Sequence, residues 1–401
     1  SGLLVKSTAF MKDNLKSFND AGIDVPVILG GAALTPRFVQ KDCREVYNGK
    51  VIYGRDAFAD LRFMDALMDA KGNDNWNNLE GFITDVPSGV GLDEETESST
   101  VERSTAEEKS QQDAPSPQLP VTTVRSEAVP AEPTPTAPFL GSVVITEADV
   151  DIEEVFGFLD RNALFAGQWQ LRKVQQQSRD EYDAMLKEKA EPVLQQWMDR
   201  CLQESLLTPR AAYGYFPVGR DGNALRVFDA NGETELGRFD LPRQRSGNRY
   251  CIADFFQDMT ADGRPADVLP MQAVTMGDKA SEVAQELFKG DQYSDYLYFH
   301  GLAVQMAEAM AEWVHARIRR ELGFADPDGM PLRDVLAQRY RGSRYSFGYP
   351  ACPNVADSRQ QLSWLGADRI GLSMDASDQL SPEQSTTALV ALHSKARYFS
   401  A

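Results

Sequence analysis

The chain has 401 residues, 42% of them hydrophobic, enough for two or three domains with apolar cores of their own. Its formal charge of −19 excludes a non-specific nucleic-acid binder, which needs clustered lysines and arginines to neutralise phosphates. Cys43, Cys201, Cys251 and Cys352 form no CxxC pair and support neither a zinc ribbon nor a disulfide framework; with no long apolar run and no leader-like start, the expectation is a reduced, cytoplasmic protein that enters no membrane.

The first residue is Ser1 and the sequence opens directly into structured-looking chain, which suggests an excised region. From Thr8 to Ala21, Phe10, Met11, Leu15 and Phe18 recur at helical spacing, and Gly22 supplies a stop. The apolar run VPVILGG follows, then a helical pattern from Pro36 to Val46, a short strand KVIYG and another helix, AFADLRFMDALMDA. Strands alternating with helices predict a partial doubly wound α/β sheet over residues 1–75, with any site at the carboxyl ends of its strands. Gly30 and Gly31 stand there, suited either to a tight turn or to close approach of a ligand.

Composition changes over residues 76–140. Between Asp93 and Pro138 lie ten acidic residues, three basic ones and seven prolines, so this stretch carries seven of the nineteen net negative charges. With almost no large apolar side chains it predicts a disordered linker, reaching on the order of 40 Å.

Residues 141–401 read as one α+β domain with an antiparallel sheet and long helices. DIEEVFGFLDRNALFAGQWQL and AEPVLQQWMDRCLQESLL are helical patterns. Apolar strands flank Asp221-Gly222, a hairpin signal, and YCIADFF and VLPMQAVTMG predict further strands. A long helix is expected from Tyr296 to Leu322, with Leu302, Met306, Met310, Trp313 and Arg317 on one stripe and Val304, Glu308 and His315 on the other side.

His300, His315 and His393 have no metal-ligand spacing, and no GxSxG, Walker A or GxGxxG pattern occurs. Asp160 interrupts the apolar run FGFLDRNALF, either as a helix cap or as a paired charge. Glu308 lies off the apolar stripe of its helix and reads as part of a solvated face. Arg344 precedes YSFGYPACP, whose glycine and prolines fix an irregular backbone. A guanidinium beside such a backbone suits two-pronged capture of a carboxylate; a buried structural loop is the other reading.

RGSRYSFGYPACP, with RAAYGYFPV, CIADFF, AVTMG, HGLAVQMAEAMAEWVHARIRRELG and LSPEQSTTALV, resembles the reactivation domain of cobalamin-dependent methionine synthase. The opening region, SGLLVKS through VPVILGGAAL to KVIYGRDAFADL, resembles the end of that family's cobalamin-binding domain. The resemblance implies a C-terminal fragment of a methyltransferase that supports reductive methylation of cob(II)alamin to methylcobalamin. Its cofactors would be cobalamin and S-adenosylmethionine, its partners a flavodoxin or similar one-electron donor and the upstream domains of the same synthase. It implies that Arg344 binds the S-adenosylmethionine carboxylate and Asp160 its amino group, with Glu308 lining the site. Backbone near Ser346, Gly348 and Tyr349 would hold the adenosyl part, Tyr349 facing the corrin. Where relatives carry an aromatic pair, Val390 and Ala391 stand here, so contact at that point falls to the backbone. Ser1, Val5, Gly30, Gly31 and Ala57 match positions around the cobalamin nucleotide tail, Val5 replacing a threonine of some relatives. The family's Asp-x-His-x-x-Gly cobalt-ligand motif is absent, and so are the folate domain and the zinc-holding homocysteine domain. The alternatives are a non-catalytic S-adenosylmethionine-sensing or docking module, or a stand-alone corrinoid reactivation protein.

Overall fold

A computed structural model describes residues 5–30, 38–54, 67–68, 71, 122–173, 177–290 and 292–400. Ser1, Gly31, Ala57, most of the helix expected after KVIYG and the linker stretch 76–121 lie outside the described residues; Val5 is described by its backbone alone. The chain divides into two compact units, Ser1–Glu102 and Arg103–Ala401.

In the first unit, helix α1 (Val5–Asp20) precedes strand β1 (Val27–Gly30), which pairs in parallel with β2 (Val51–Gly54). A helical turn at Val39–Cys43 makes the crossover that a parallel pair requires. Leu15, Leu29, Val39, Cys43, Tyr47 and Val51 close a small core between helix and strands.

The second unit is built on one antiparallel sheet. Its strands are β3 (Gly141–Ile145), β4 (Arg210–Asp221), β5 (Ala224–Phe228), β6 (Glu235–Asp240), β7 (Asp267–Thr275), β8 (Ser343–Tyr345) and β11 (Ser385–Ala391), in the order β6-β5-β4-β7-β11-β8. β3 and β5 share one edge of β4, pairing with Ala211–Tyr215 and Val218–Asp221 respectively, while β7 runs along its other edge. The Asp221-Gly222 hairpin forms as its residues predict: Asp221 pairs with Ala224, and Gly222 sits at φ +63°, where a side chain would be strained.

Period-two alternation gives the sheet two apolar faces. Ala211, Tyr213, Tyr215, Val274 and Val390 pack toward α2 (Ile152–Phe156), α4 (Glu191–Gln203), α5 (Asp278–Lys289) and the 29-residue α6 (Tyr293–Glu321), with the short α3 (Arg179–Met185) completing that layer. Ala212, Phe216, Val218, Leu269, Met271, Leu389 and Ala391 pack on the opposite side with Leu362 and Leu365 of α8 (Asp357–Leu365); a short α7 (Leu332–Leu336) leads into β8, and β9 (Ser373–Met374) and β10 (Leu380–Ser381) form a separate hairpin before β11. Both sheet faces are therefore core, and α6 is buried along most of its length.

Three expectations are corrected. YCIADFF contains a 3₁₀ turn at Ile252–Phe255 where a strand was expected, because the fully buried Asp254 carboxylate accepts from the Cys251 backbone and is held by Arg220 and Arg243. The helix expected from Asp151 through Leu171 breaks after Phe156: Asp160 Oδ1 accepts from the Ala163 N–H at 3.0 Å and starts a second helical stretch. Residues 122–140, read as linker, lie along the sheet domain. Arg125 donates to the Asp254 and Phe256 carbonyls, Thr134 to Ala266, and Glu132 accepts from Ser394 and pairs with Arg341. Pairing to partners folded elsewhere, which local composition does not reveal, orders this stretch.

Candidate functional site

Three segments far apart in sequence meet around Arg344. β8 has three residues and, among the described strands, pairs with β11 alone, Val390 opposite Arg344 and Ala391 opposite Ser343. Gly342, at φ +92°, makes that approach possible, since a Cβ there would stand 2.7 Å from the Ala391 carbonyl oxygen. Strand alternation buries Ser343 and Tyr345 on the α8 side and turns Arg344 toward α6.

On α6, Glu308, Glu312, His315 and Arg319 are spaced four, three and four apart, which places them on one helix face. The expectation set Glu308 and His315 apart from the apolar stripe, and they do share a separate face. Much of that face is buried, His315 and Arg319 completely. Arg344 Nη2 donates to Glu312 Oε2 at 3.0 Å, and its Nη1 lies 4.0 Å from Glu308 Oε2. Tyr340 O–H donates to the same Glu312 oxygen at 3.0 Å. Arg319 donates to Glu312 at 3.4 Å, holds Asp326 through two nitrogens, and stacks its guanidinium 3.7 Å from the Tyr340 ring centre. Burial alone would push the Glu312 carboxyl up, but Arg344, His315 and Arg319 outweigh it and hold Glu312 well below the usual carboxylate range. Burial would likewise lower Arg344; Glu312 and Glu308 override it and keep the guanidinium charged. Glu308 is 43% exposed against 13% for Arg344, so the pair opens outward.

The loop after β8 is rigid. Gly348 takes φ +99° and donates its N–H to the Cys352 carbonyl, while the Cys352 N–H returns to Tyr349. Tyr345, Phe347, Ala351 and Cys352 anchor the loop in the core, leaving Tyr349 49% exposed at its tip. Cys352 Sγ donates to the Ser346 carbonyl at 2.9 Å, and burial pushes its thiol up to about 12, which removes it as a nucleophile at neutral pH. All four cysteines are free and buried.

The structure thus brings Arg344, Glu308, Val390 and Ala391 together, with Ser346, Gly348 and Tyr349 following directly in the chain. Val390 and Ala391 are both fully buried, one on each face of the sheet, so only their backbone is available there. Asp160 is seen as a helix cap and does not share in the ion pairs that join Arg344 to Glu308 and Glu312. Glu312, Arg319 and Tyr340 were not anticipated as site residues. The i, i+4, i+7 spacing of Glu308, Glu312 and His315 was the available signal. A cleft of about 430 Å³ beside Tyr296, His300 and Glu383 contains none of the expected site residues. Among the described residues no helix is long and apolar enough to cross a membrane, and no cluster of metal-binding side chains occurs.

An antiparallel sheet with helices on both faces, and an arginine presented beside a rigid glycine-proline loop, place the second unit in the α+β class. Comparison with known proteins makes the class specific. The family described as "Vitamin B12 dependent methionine synthase, activation domain" matches residues 151–401, and the chain belongs to that family. It is 38% identical over 416 residues to a methionine synthase of Mycobacterium tuberculosis (strain ATCC 25618 / H37Rv) and 39% identical over 418 residues to that of Mycobacterium leprae (strain TN). Each alignment covers 100% of this chain and 34% of the relative, so the chain spans about a third of the length of the curated relatives it matches. A crystal structure of the MetH reactivation domain bound to AdoHcy has the same fold, with a TM-score of 0.59 and 23% identity over 67% of this chain and 83% of that one.

Proposed function

We propose that this activation domain binds S-adenosylmethionine at Arg344 and presents its sulfonium methyl for the reductive methylation that returns cob(II)alamin to methylcobalamin. The carrying observation is the state of Arg344. Its guanidinium is charged, fixed on one side by Glu312, and faces the half-exposed Glu308 at 4.0 Å on the other. An amino-acid group offers both complements: its carboxylate takes the open edge of the Arg344 fork, and its ammonium takes Glu308. Asp160 would add a second acceptor for that ammonium. Backbone at Ser346, Gly348 and Tyr349 would hold the adenosyl part, with Tyr349 toward the corrin.

Cobalamin, when bound, would supply the reduced cobalt that accepts the methyl group. Of the positions expected around it, Gly30 ends β1 opposite Gly54, where a Cβ would meet the Gly54 carbonyl oxygen at 3.2 Å, so its small size already serves strand pairing. The domain's own work is positioning, and a flavodoxin or similar one-electron donor would provide the reducing equivalent. The upstream domains of a synthase would supply the remainder of the cycle, within the reduced cytoplasm that four free thiols suit.

The test combines the 401-residue chain with cobalamin, a chemical reductant and methyl-labelled S-adenosylmethionine. Label on cobalt is expected for the native chain, and Arg344→Ala should bind S-adenosylmethionine at least about tenfold more weakly by calorimetry. Unlabelled cobalt together with undiminished affinity of that variant would overturn the reading.

A further inference from the structure

We infer that Glu312 is a positioning residue for the ligand carboxylate: it holds the Arg344 fork open by preventing it from closing on Glu308. The inference rests on the reading of Arg344 as a carboxylate clamp.

Arginine carries five N–H donors on a long, freely rotating stem, and β8 gives this one only a three-residue edge strand for support. Two carboxylates lie within its reach, on consecutive turns of α6. Glu308, 43% exposed, is the one an amino-acid ligand must find available. Glu312, 8% exposed, is the one that holds Arg344 at 3.0 Å. A simple ion pair with either would neutralise the guanidinium, so the choice between them decides whether a ligand can enter.

The surroundings fix that choice. Tyr340 donates to the same Glu312 oxygen that Arg344 uses, while Arg319 takes the other. Arg319 cannot turn away, because Asp326 holds two of its nitrogens and the Tyr340 ring covers its face. Arg344, Glu312, Arg319 and Asp326 therefore form a chain of two positive and two negative groups whose charges balance. Glu308 lies beyond its end as a surplus carboxylate at 4.0 Å. Removing the Glu312 charge leaves Glu308 as the remaining carboxylate beside Arg344. The fork then closes on it through Oε2, and that contact consumes the receptor for the ligand carboxylate while the other Glu308 oxygen stays open to the ammonium.

The test uses the full 401-residue chain, with calorimetric titration of S-adenosylmethionine and of its decarboxylated form, which keeps the adenosyl, sulfonium and amine groups. The native chain should prefer the carboxylate-bearing ligand by about tenfold or more, and Glu312→Gln should cut that preference to within about twofold while leaving affinity for the decarboxylated form unchanged. Equal weakening toward both ligands would mean a merely structural role, and unchanged or tighter S-adenosylmethionine binding would contradict the fork's closure; either overturns the inference. Arg344→Ala separates the two levels: if that variant keeps the native preference, the clamp reading itself has failed. Should circular dichroism show Glu312→Gln unfolded, Tyr340→Phe removes only the hydroxyl that steadies Glu312. It should reduce the same preference by about threefold, and no reduction would again overturn the inference.

Discussion

Val390 on β11 stands directly opposite Arg344 on β8. The last strand of the domain thus presents its backbone at the site, while the Val390 side chain points into the core beneath α6 and is fully buried.

Truncating it should therefore act on stability and leave recognition alone. Val390→Ala is expected to destabilise the domain by about 2 kcal/mol in urea unfolding, from lost burial and the cavity left behind. Affinity for S-adenosylmethionine, measured at concentrations where the variant is folded, should match the native chain. A selective loss of affinity would place the Val390 side chain in the site after all.

Asp160 has two roles to separate, the cap seen in the structure and the proposed contact with the ligand's amino group. Asn caps helices as well as Asp, whereas Ala does not, so Asp160→Ala should cost about 1 kcal/mol and Asp160→Asn close to nothing. If the carboxylate also meets the ligand, Asp160→Asn should bind S-adenosylmethionine more weakly at native stability. Native affinity in that variant would leave Asp160 as a cap alone.

His315 gives the domain an acid-sensitive core. Among the described residues neither of its ring nitrogens has a hydrogen-bond partner, and Nδ1 lies 3.7 Å from Glu312 Oε1. Burial holds its pKa down at about 4; Glu312 pulls upward, while Arg319 on the same helix and Arg344 from β8 push downward. Tyr340, packed edge-on at 5.1 Å, stays protonated because burial raises its pKa. The unfolded chain accepts a proton on His315 near pH 6.5 and the folded chain only near pH 4, so stability is full above the upper value and falls through that window on acidification. The slope should reach about 1.4 kcal/mol per pH unit. Glu312, held lower still, contributes its own loss only at more acid pH. Chemical denaturation at several pH values should give a flatter profile for His315→Gln, and an identical profile would remove His315 as the cause.

The Arg319–Asp326 pair should be costly to break from one side. Arg319 is fully buried and joins Asp326 and Glu312. Arg319→Met strips both carboxylates of that partner and should lose about 3–5 kcal/mol, while Arg319→Met combined with Asp326→Asn should recover part of the loss. Independent, additive losses in the double variant would show that the two side chains do not act as a pair.

The sequence by itself determined what depends on neighbouring residues. Strand alternation in β4 and β7, the Asp221-Gly222 turn, the long helix and the fixed backbone of the YSFGYPACP loop are local consequences of side-chain period, glycine freedom and proline restriction. The unusual composition of that loop, together with segments such as RAAYGYFPV, CIADFF and AVTMG in the same order, carried the family resemblance. Tertiary structure alone decided what depends on partners distant in the chain. The acidic, proline-rich stretch 122–140 is ordered because Asp254, Arg341 and Ser394 lie where its backbone and side chains reach them. YCIADFF turns instead of extending because two arginines from other segments close on Asp254. The polar stripe of α6 looks like a solvated face when read along the helix. Most of it is buried because β8 and Tyr340 cover it, and only there do Glu308, Glu312 and Arg344 become one cluster of charges: the strength of a charge pair depends on separation and burial, and neither is written in sequence spacing.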